Sequence, residues 1–294
     1  MRRDWDERAR KNAGMALKVL FQGLARWRWI RRLYAALSGA PMVGSHLRRL
    51  ALRMFPPRAL VWTHISSGPG KGLWVHLDPR FEMDYAKGNY EASIQRALSS
   101  HLRPGSVFYD VGAHIGILSL LAARLVGPAG SVFSFEADPA NAERIEEHVR
   151  RNEFRQIHIV PRAVWRTAGR LRFERASAQS SRNQGVITTE PAASTANTIE
   201  VKAIALDDFS RGHLPPTLIK IDVEGAEADV LGGSEEVFAS ARPVLICEIH
   251  HERAAEEVTQ WLRERGYTFE WFTDILRFPR HLLARHARTI RPAG

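Results

Sequence analysis

Between residues 106 and 272 the chain alternates between short apolar runs and longer stretches with apolar residues at helical spacing. Residues 107–111, 131–136, 156–160, 217–223, 244–249 and 267–272 read as strands, since each is short, rich in β-branched or aromatic residues and bounded by turn formers. Residues 117–126, 139–152, 226–238 and 253–265 read as the helices between them. In the second helix Asp138 stands at the cap and Pro139 at the first helical position, where an N–H has no partner to lose. Ala142, Ile145 and Val149 form one stripe along it. This alternation predicts an α/β fold with a mostly parallel sheet covered by helices.

The pattern changes at three places. Residues 164–204 read as antiparallel pieces (171–173, 185–189 and 199–204) between polar loops, an insertion expected to shape an acceptor pocket. Upstream, 60–65 and 73–77 flank Ser66-Ser67-Gly68-Pro69-Gly70-Lys71-Gly72, a hairpin signal, and 91–102 reads as a helix closed by Arg103-Pro104-Gly105. At the two ends, 1–58 reads as basic helical material, and 277–294 is basic and poorly patterned. The expected division is therefore a basic helical segment 1–58, a hairpin and helix cap 59–105, a catalytic domain 106–280 and a basic tail 281–294.

Charge sharpens that division. Residues 1–58 hold 14 Lys and Arg against three acids, whereas the rest of the chain holds 28 basic and 29 acidic residues. The net charge of +10 thus belongs to the N-terminal segment, which argues against a nucleic-acid-binding catalytic domain. Within 15–37, Arg26, Arg28, Arg31 and Arg32 lie among Trp27, Trp29 and Tyr34, a composition suited to peripheral contact with a membrane surface. Each basic residue beside an anionic leaflet contributes about 1 kcal/mol; packing on the domain or on a partner is the competing reading. Asp4, Asp6, Glu7 and Lys18 spoil a secretory signal, and Gly39, Pro41 and Gly44 break the longest uncharged stretch of this segment. A cytoplasmic protein, at the inner face of the membrane if the basic segment docks there, is expected. The lone Cys247 can neither form an internal disulfide nor build a zinc cluster.

In sheets of this kind ligands bind beyond the carboxyl ends of the strands. After the first strand comes Asp110-Val111-Gly112-Ala113-His114-Ile115-Gly116. Gly112 permits a tight turn and a close ligand approach, and Gly116 close packing of the next helix. The loop lacks the Gly-x-Gly-x-x-Gly spacing of a dinucleotide site, and Asp110 suits an ammonium or sulfonium better than a pyrophosphate. Glu136, 20 residues after Gly116, is placed to accept both hydroxyls of a ribose. Two further strands end in Lys220-Ile221-Asp222-Val223-Glu224-Gly225-Ala226-Glu227 and Glu248-Ile249-His250-His251. Alternation puts Lys220 with Asp222 on one strand face and Glu248 with His250 on another. Salt bridges and helix caps are the structural alternative. Asp222, Glu248 and His250 would also suit a divalent ion, but their spacing does not indicate one, and no metal ligand is assigned.

Taken together, Gly88-Asn89-Tyr90-Glu91, the loop Asp110 to Gly116, Phe135-Glu136-Ala137-Asp138-Pro139, Leu206-Asp207-Asp208-Phe209, Lys220 to Glu227 with Val230-Leu231-Gly232-Gly233, and Arg242-Pro243 leading to Glu248 carry a resemblance. In this order and spacing they are similar to the FkbM-type S-adenosylmethionine-dependent methyltransferases, over roughly residues 80–275. The resemblance implies the class I methyltransferase fold, a Rossmann-like, seven-stranded sheet flanked by helices. It implies transfer of a methyl group from S-adenosylmethionine to a hydroxyl of a sugar, glycan or natural product. Gly112 and Gly116 would form the cofactor loop, and Glu136 would hold the ribose. Asp110 would lie near the methionine end, Glu91 on its amino group, and Arg162 and Ala163 beside the adenine. Asp222 and Glu224 would border the transfer site. His114 departs from the family, which usually carries Asn there.

A hydroxyl is a poor nucleophile while it keeps its proton, so Asp222, Glu224, Glu248 or His250 is expected to take that proton or to hold a metal that acidifies it. Two other readings compete. One is an NAD-dependent enzyme modifying nucleotide sugars, against which the glycine spacing counts. The other is a membrane-associated binding module that has lost catalysis, against which the retained acids count.

Overall fold

The computed structural model describes residues 60–175, 185–188, 197–273 and 277–287. The basic segment 1–58, with its expected membrane-facing stretch 15–37, lies outside the described residues. Among the described residues no helix is long and apolar enough to cross a membrane. The chain divides into two compact units, 1–64 with 75–83 and 65–74 with 84–294. Val61–His64 (β1) pairs with Trp74–Leu77 (β2), where the hairpin pattern placed two strands. The Trp62 and His76 rings stack there at 4.6 Å.

The larger unit carries the α/β alternation. Ala92–His101 (α1) leads into Val107–Val111 (β3), all of whose residues are buried. Ile117–Val126 (α2), Ser131–Phe135 (β4), Pro139–Asn152 (α3) and Ile157–Val160 (β5) follow in the expected order. Asp138 caps α3 by accepting the Ala140 N–H at 2.9 Å. The insertion is a four-stranded sheet of its own: Ala163–Val164 (β6), Gly169–Arg175 (β7), Gly185–Thr188 (β8) and Thr198–Ile204 (β9), in the order β6-β9-β7-β8. Next come Leu206–Ser210 (α4), Leu218–Ile221 (β10), Glu227–Gly232 (α5), Glu235–Ser240 (α6), Val244–Ile249 (β11), Glu252–Glu264 (α7), Tyr267–Trp271 (β12) and Arg280–His286 (β13).

Seven strands form the main sheet in the order β12-β13-β11-β10-β3-β4-β5. β5, β4, β3, β10 and β11 pair in parallel, and β13 runs antiparallel to both neighbours. This is the class I methyltransferase arrangement implied by the resemblance. The core on one sheet face gathers Tyr109, Phe135, Phe209, Val230, Leu231 and Phe238. Tyr109 meets Phe133 and Phe209 edge-on at 5.3 and 5.6 Å, contacts that contribute about 0.5–1.5 kcal/mol each beyond buried area.

Two expectations are corrected. The helix expected over 226–238 is two short helices, α5 and α6, parted at Gly233-Ser234. A Cβ on Gly233 would collide with the carbonyl oxygens of Trp165 and Arg166, so a close tertiary approach sets this break. The tail expected at 281–294 begins too early. Leu282, Leu283 and Ala284 are buried, and β13 is an interior strand that brings the six located from the pattern to seven. Because both of its faces are covered, it lacks the alternation that marks a half-exposed strand.

Candidate active site

The strand order reverses between β3 and β10, since β4 and β5 continue to one side of β3 and β11 to the other side of β10. A crevice at such a point is the expected ligand site. An open cleft lies there. Gly112 and His114 after β3, Glu136 after β4, Arg162 and Ala163 after β5, and Asp222 and Glu224 after β10 all line it. The insertion adds Phe173 and Ile187, and Tyr85 and Tyr90 close another side.

At the loop after β3, the N–H groups of Gly112 and Ala113 both donate to the Phe135 carbonyl at 3.0 Å. Gly112 has φ of 76°, and a Cβ there would overlap the Asp222 carbonyl oxygen. Its glycine is therefore required by the approach of two loops, beyond the ligand approach expected from sequence. Gly116, at φ of 80°, faces Ile145 of α3 at 3.1 Å from a built Cβ, so its small size admits helix α3 rather than the strand. His114 also lies in the left-handed region, at φ of 54°. Its N–H donates to Glu136 Oε2 at 2.7 Å, and its ring lines the cleft. Asn tolerates this conformation better than His, which accounts for the family's usual residue. His114→Asn is expected to keep cofactor affinity and to raise the thermal midpoint slightly; a clear loss of affinity would show that the imidazole itself binds.

Glu136 is 6 % exposed and accepts an N–H on each oxygen, His114 on Oε2 and Asp138 on Oε1 at 2.8 Å. Burial outweighs these bonds and pushes its carboxyl up to about 7.

The methionine-end residues separate into two groups. Asp110, expected beside the cofactor, does not line the cleft. It is 1 % exposed, accepts from Ser119 Oγ, and lies 3.8 Å from Lys220 Nζ. Lys220 also donates to Asp222 Oδ2 at 3.0 Å and to the Gly112 carbonyl at 3.2 Å, so it offsets both acids and ties them to the loop. Burial opposes the Lys220 ammonium, but Asp222, Asp110 and Glu91 outweigh it and raise its pKa. Burial likewise opposes the Asp222 carboxylate, and Lys220 overcomes it and holds the pKa down. Glu91 stands outside the cleft lining with φ of 47°, and its Oε2 is buried with no hydrogen-bond partner.

The remaining candidates converge. His250 Nε2 lies 3.2 Å from Glu224 Oε2, 3.7 Å from Asp222 Oδ1 and 3.9 Å from Glu248 Oε1. Its Nδ1 meets Glu227 Oε1 at 2.8 Å. Burial lowers the His250 pKa, but Glu227, Glu224 and Asp222 push it up to about 9. Burial also raises Glu224 against the pull of His250. Two residues escaped the sequence reading of roles. Glu227, 0 % exposed, orients His250 and accepts the Gly225 N–H. His281 sits opposite Glu248 in the β11–β13 register, with Nε2 3.0 Å from Glu248 Oε2. The residue three places after Glu224 could have been spotted as a buried acid; His281 required β13.

Comparison with known proteins places the sequence among methyltransferases. A model of the methyltransferase FkbM domain matches residues 110–269. The hexuronic acid methyltransferase AglP of Haloferax volcanii is 27 % identical over 200 residues, covering 67 % of this chain and 74 % of that protein. The 31-O-demethyl-FK506 methyltransferase FkbM of Streptomyces tacrolimicus is 31 % identical over 195 residues, covering 57 % and 74 %. Among solved structures, methyltransferase FkbM from Methylobacillus flagellatus KT aligns at 15 % identity with a TM-score of 0.46, over 68 % of this chain and 61 % of that one. The matched model spans more than half of the 294 residues and contains the loop after β3, Glu136 and the acid–imidazole cluster, and the chain belongs to the FkbM methyltransferase family.

Proposed function

We propose that this methyltransferase uses S-adenosylmethionine to methylate a hydroxyl oxygen on a sugar, glycan or hydroxylated natural product. The observation that carries the reading is the convergence of Asp222, Glu224, Glu248 and His250 beside the cleft at the strand reversal. The two relatives named for a hexuronic acid and for 31-O-demethyl-FK506 support the acceptor class.

The residues fit the cofactor. A carboxylate has about four acceptor sites, so Glu136, after its two backbone bonds and one from the cleft-lining Asn141, keeps one that the hydroxyls of a ribose diol can share. Val164, Phe173 and Ile187 offer an apolar wall to a purine, with Arg162 and Ala163 at its edge. The buried, unpartnered Glu91 Oε2 suits an ammonium. When bound, S-adenosylmethionine supplies a sulfonium-activated methyl group for in-line displacement. The protein's part is alignment, which can supply about 7–11 kcal/mol of the barrier, and removal of the acceptor proton into the acid–imidazole cluster.

Incubation with S-adenosylmethionine and fractionated glycans or small hydroxylated compounds, followed by product mass analysis, tests this. A one-methyl mass gain that survives O-specific linkage analysis is the expected result; methylation on nitrogen or carbon would overturn it. Heat stabilisation by S-adenosylhomocysteine and not by NAD is expected in parallel.

Glu136 adds a pH dependence. Its ionised form accepts both ribose hydroxyls, whereas protonation removes acceptor capacity. Since the carboxyl titrates near 7 in the free protein, S-adenosylhomocysteine affinity is expected to rise with pH up to neutrality and level off above it. Glu136→Gln is expected to weaken binding by about 1.5–3 kcal/mol, the usual contribution of a hydrogen bond to a charged group, and to flatten the pH profile. Calorimetric titrations on both sides of neutrality decide it.

A further inference from the structure

The arrangement around His250 has the form of a ligand shell. Three carboxylate oxygens, from Glu224, Asp222 and Glu248, face its Nε2 at 3.2, 3.7 and 3.9 Å. Ligands bonded at near 2.1 Å to one octahedral ion stand about 3 Å apart when adjacent and about 4.2 Å apart when opposite. The observed separations fall around and between those values, and one ligand atom from each of Asp222, Glu224 and His250 lies within 4.8 Å of the others. Behind the imidazole, Glu227 holds Nδ1 at 2.8 Å, the outer carboxylate that metal-bound histidines usually carry.

A second observation is independent of that geometry. Glu227 is 0 % exposed, and its Oε2 is buried with no hydrogen-bond partner. Glu91, Asp110, Asp222, Glu224, Glu227 and Glu248 gather around Lys220 and His250, some at the cleft and some buried behind it. Lys220, His250 and His281 stand among these six acids, and S-adenosylmethionine would add one net positive charge, so the acids remain in excess. Buried charge is retained only where it is paired or coordinates a metal.

We infer that Asp222, Glu224 and His250 form a divalent-cation site, with Glu248 as a neighbouring ligand and Glu227 as the residue that orients His250. The inference rests on the hydroxyl-methylating reading and names the means by which the cluster ionises its acceptor. An oxygen-rich set with one imidazole suits Mg²⁺ or Mn²⁺. The cation would take the acceptor oxygen as a further ligand and lower its pKa, and the released proton would pass to a cluster carboxylate or to water. A second group, Glu91, Glu248 and His281, has similar spacing. It stands away from the cleft lining, whereas Asp222 and Glu224 belong to it.

The test uses the full chain, stripped with a chelator and titrated with Mn²⁺ while free ion is followed by electron paramagnetic resonance. One saturable site per chain is expected, with affinity falling at least about tenfold in Asp222→Asn and Glu224→Gln, the size of a lost ligand or outer partner. The exposed-site control Glu200→Gln should bind as the parent does. Absence of saturable binding, or equal affinity in all variants, overturns the inference. Loss in His281→Gln with retention in Glu224→Gln moves the ion to the other group and also overturns it. Mn²⁺ binding is read without acceptor or methyl donor. A chain that methylates a hydroxyl in chelator therefore sinks the cation alone, and one that binds Mn²⁺ but never S-adenosylhomocysteine sinks the functional reading alone.

Discussion

Glu224→Gln is expected to slow methyl transfer by about 10²–10⁴-fold, the usual contribution of positioned proton-transfer groups, while the thermal midpoint and the S-adenosylhomocysteine dissociation constant stay at parental values. The separation follows from where Glu224 sits. Its side chain is 26 % exposed, and His250, 15 % exposed, keeps Glu227 on Nδ1, so neutralising Glu224 leaves neither group without a partner. It adopts φ of 55°, a conformation Gln takes no worse than Glu. Its carboxylate nonetheless lines the cleft and faces His250. His250→Ala would lower the rate too, but less cleanly. It would leave Glu227 buried without its imidazole, and breaking a buried pair costs about 3–5 kcal/mol, so lost activity would mix with lost fold. Single-turnover rates and melting curves on Glu224→Gln decide the matter. A parental rate removes Glu224 from the chemistry.

Gly112→Ala is expected to cost more than 4 kcal/mol, a size confined to a few identifiable mechanisms, here strain combined with collision. An alanine at positive φ costs about 1–2 kcal/mol by itself. At Gly112 the added methyl would also strike the Asp222 carbonyl, whose residue is tied to β3 by an N–H bond to the Val111 carbonyl at 3.0 Å. Relief requires β3 and β10 to part where the cofactor loop and the acid cluster meet. Gly105 supplies the control, having φ of 86° with open space around it. Urea unfolding should show a small loss for Gly105→Ala and a loss comparable with a typical domain's whole stability, about 5–15 kcal/mol, for Gly112→Ala. Equal losses would mean that strain alone explains both.

How far the chain could be read in advance depended on the range of the interactions involved. β3, β4, β5, β10 and β11 were visible because each is an apolar run with punctuation on both sides. The site residues behind them were visible because strand ends in such a sheet face one crevice. Glu136, Asp222 and Glu224 line that crevice, and His250 adjoins it. Asp110 lies outside the crevice's lining, since position at a strand end does not tell which way a side chain turns. It turns inward to Ser119 and Lys220. His281 was invisible because its partner Glu248 is 33 residues away and the two meet only through the β11–β13 register. The break between α5 and α6 was equally hidden, being imposed by Trp165 and Arg166 from the far side of the insertion.

Because β13 lies between β11 and β12, the order in which the chain leaves the ribosome matters. β11 and β12 are synthesised first, yet they are not hydrogen-bonded to one another. Until Arg280–His286 emerges, the Val244–Ile249 strand presents an open edge whose Leu245, Cys247 and Ile249 are wholly buried in the finished fold. An unpaired apolar edge is a template for other chains. Nascent chains arrested before Arg280 should therefore associate or recruit chaperones, whereas those released after His286 should not. Completion of the sheet and arrival of His281 beside Glu248 are then one event, and a truncated product would lack both the closed edge and the finished site.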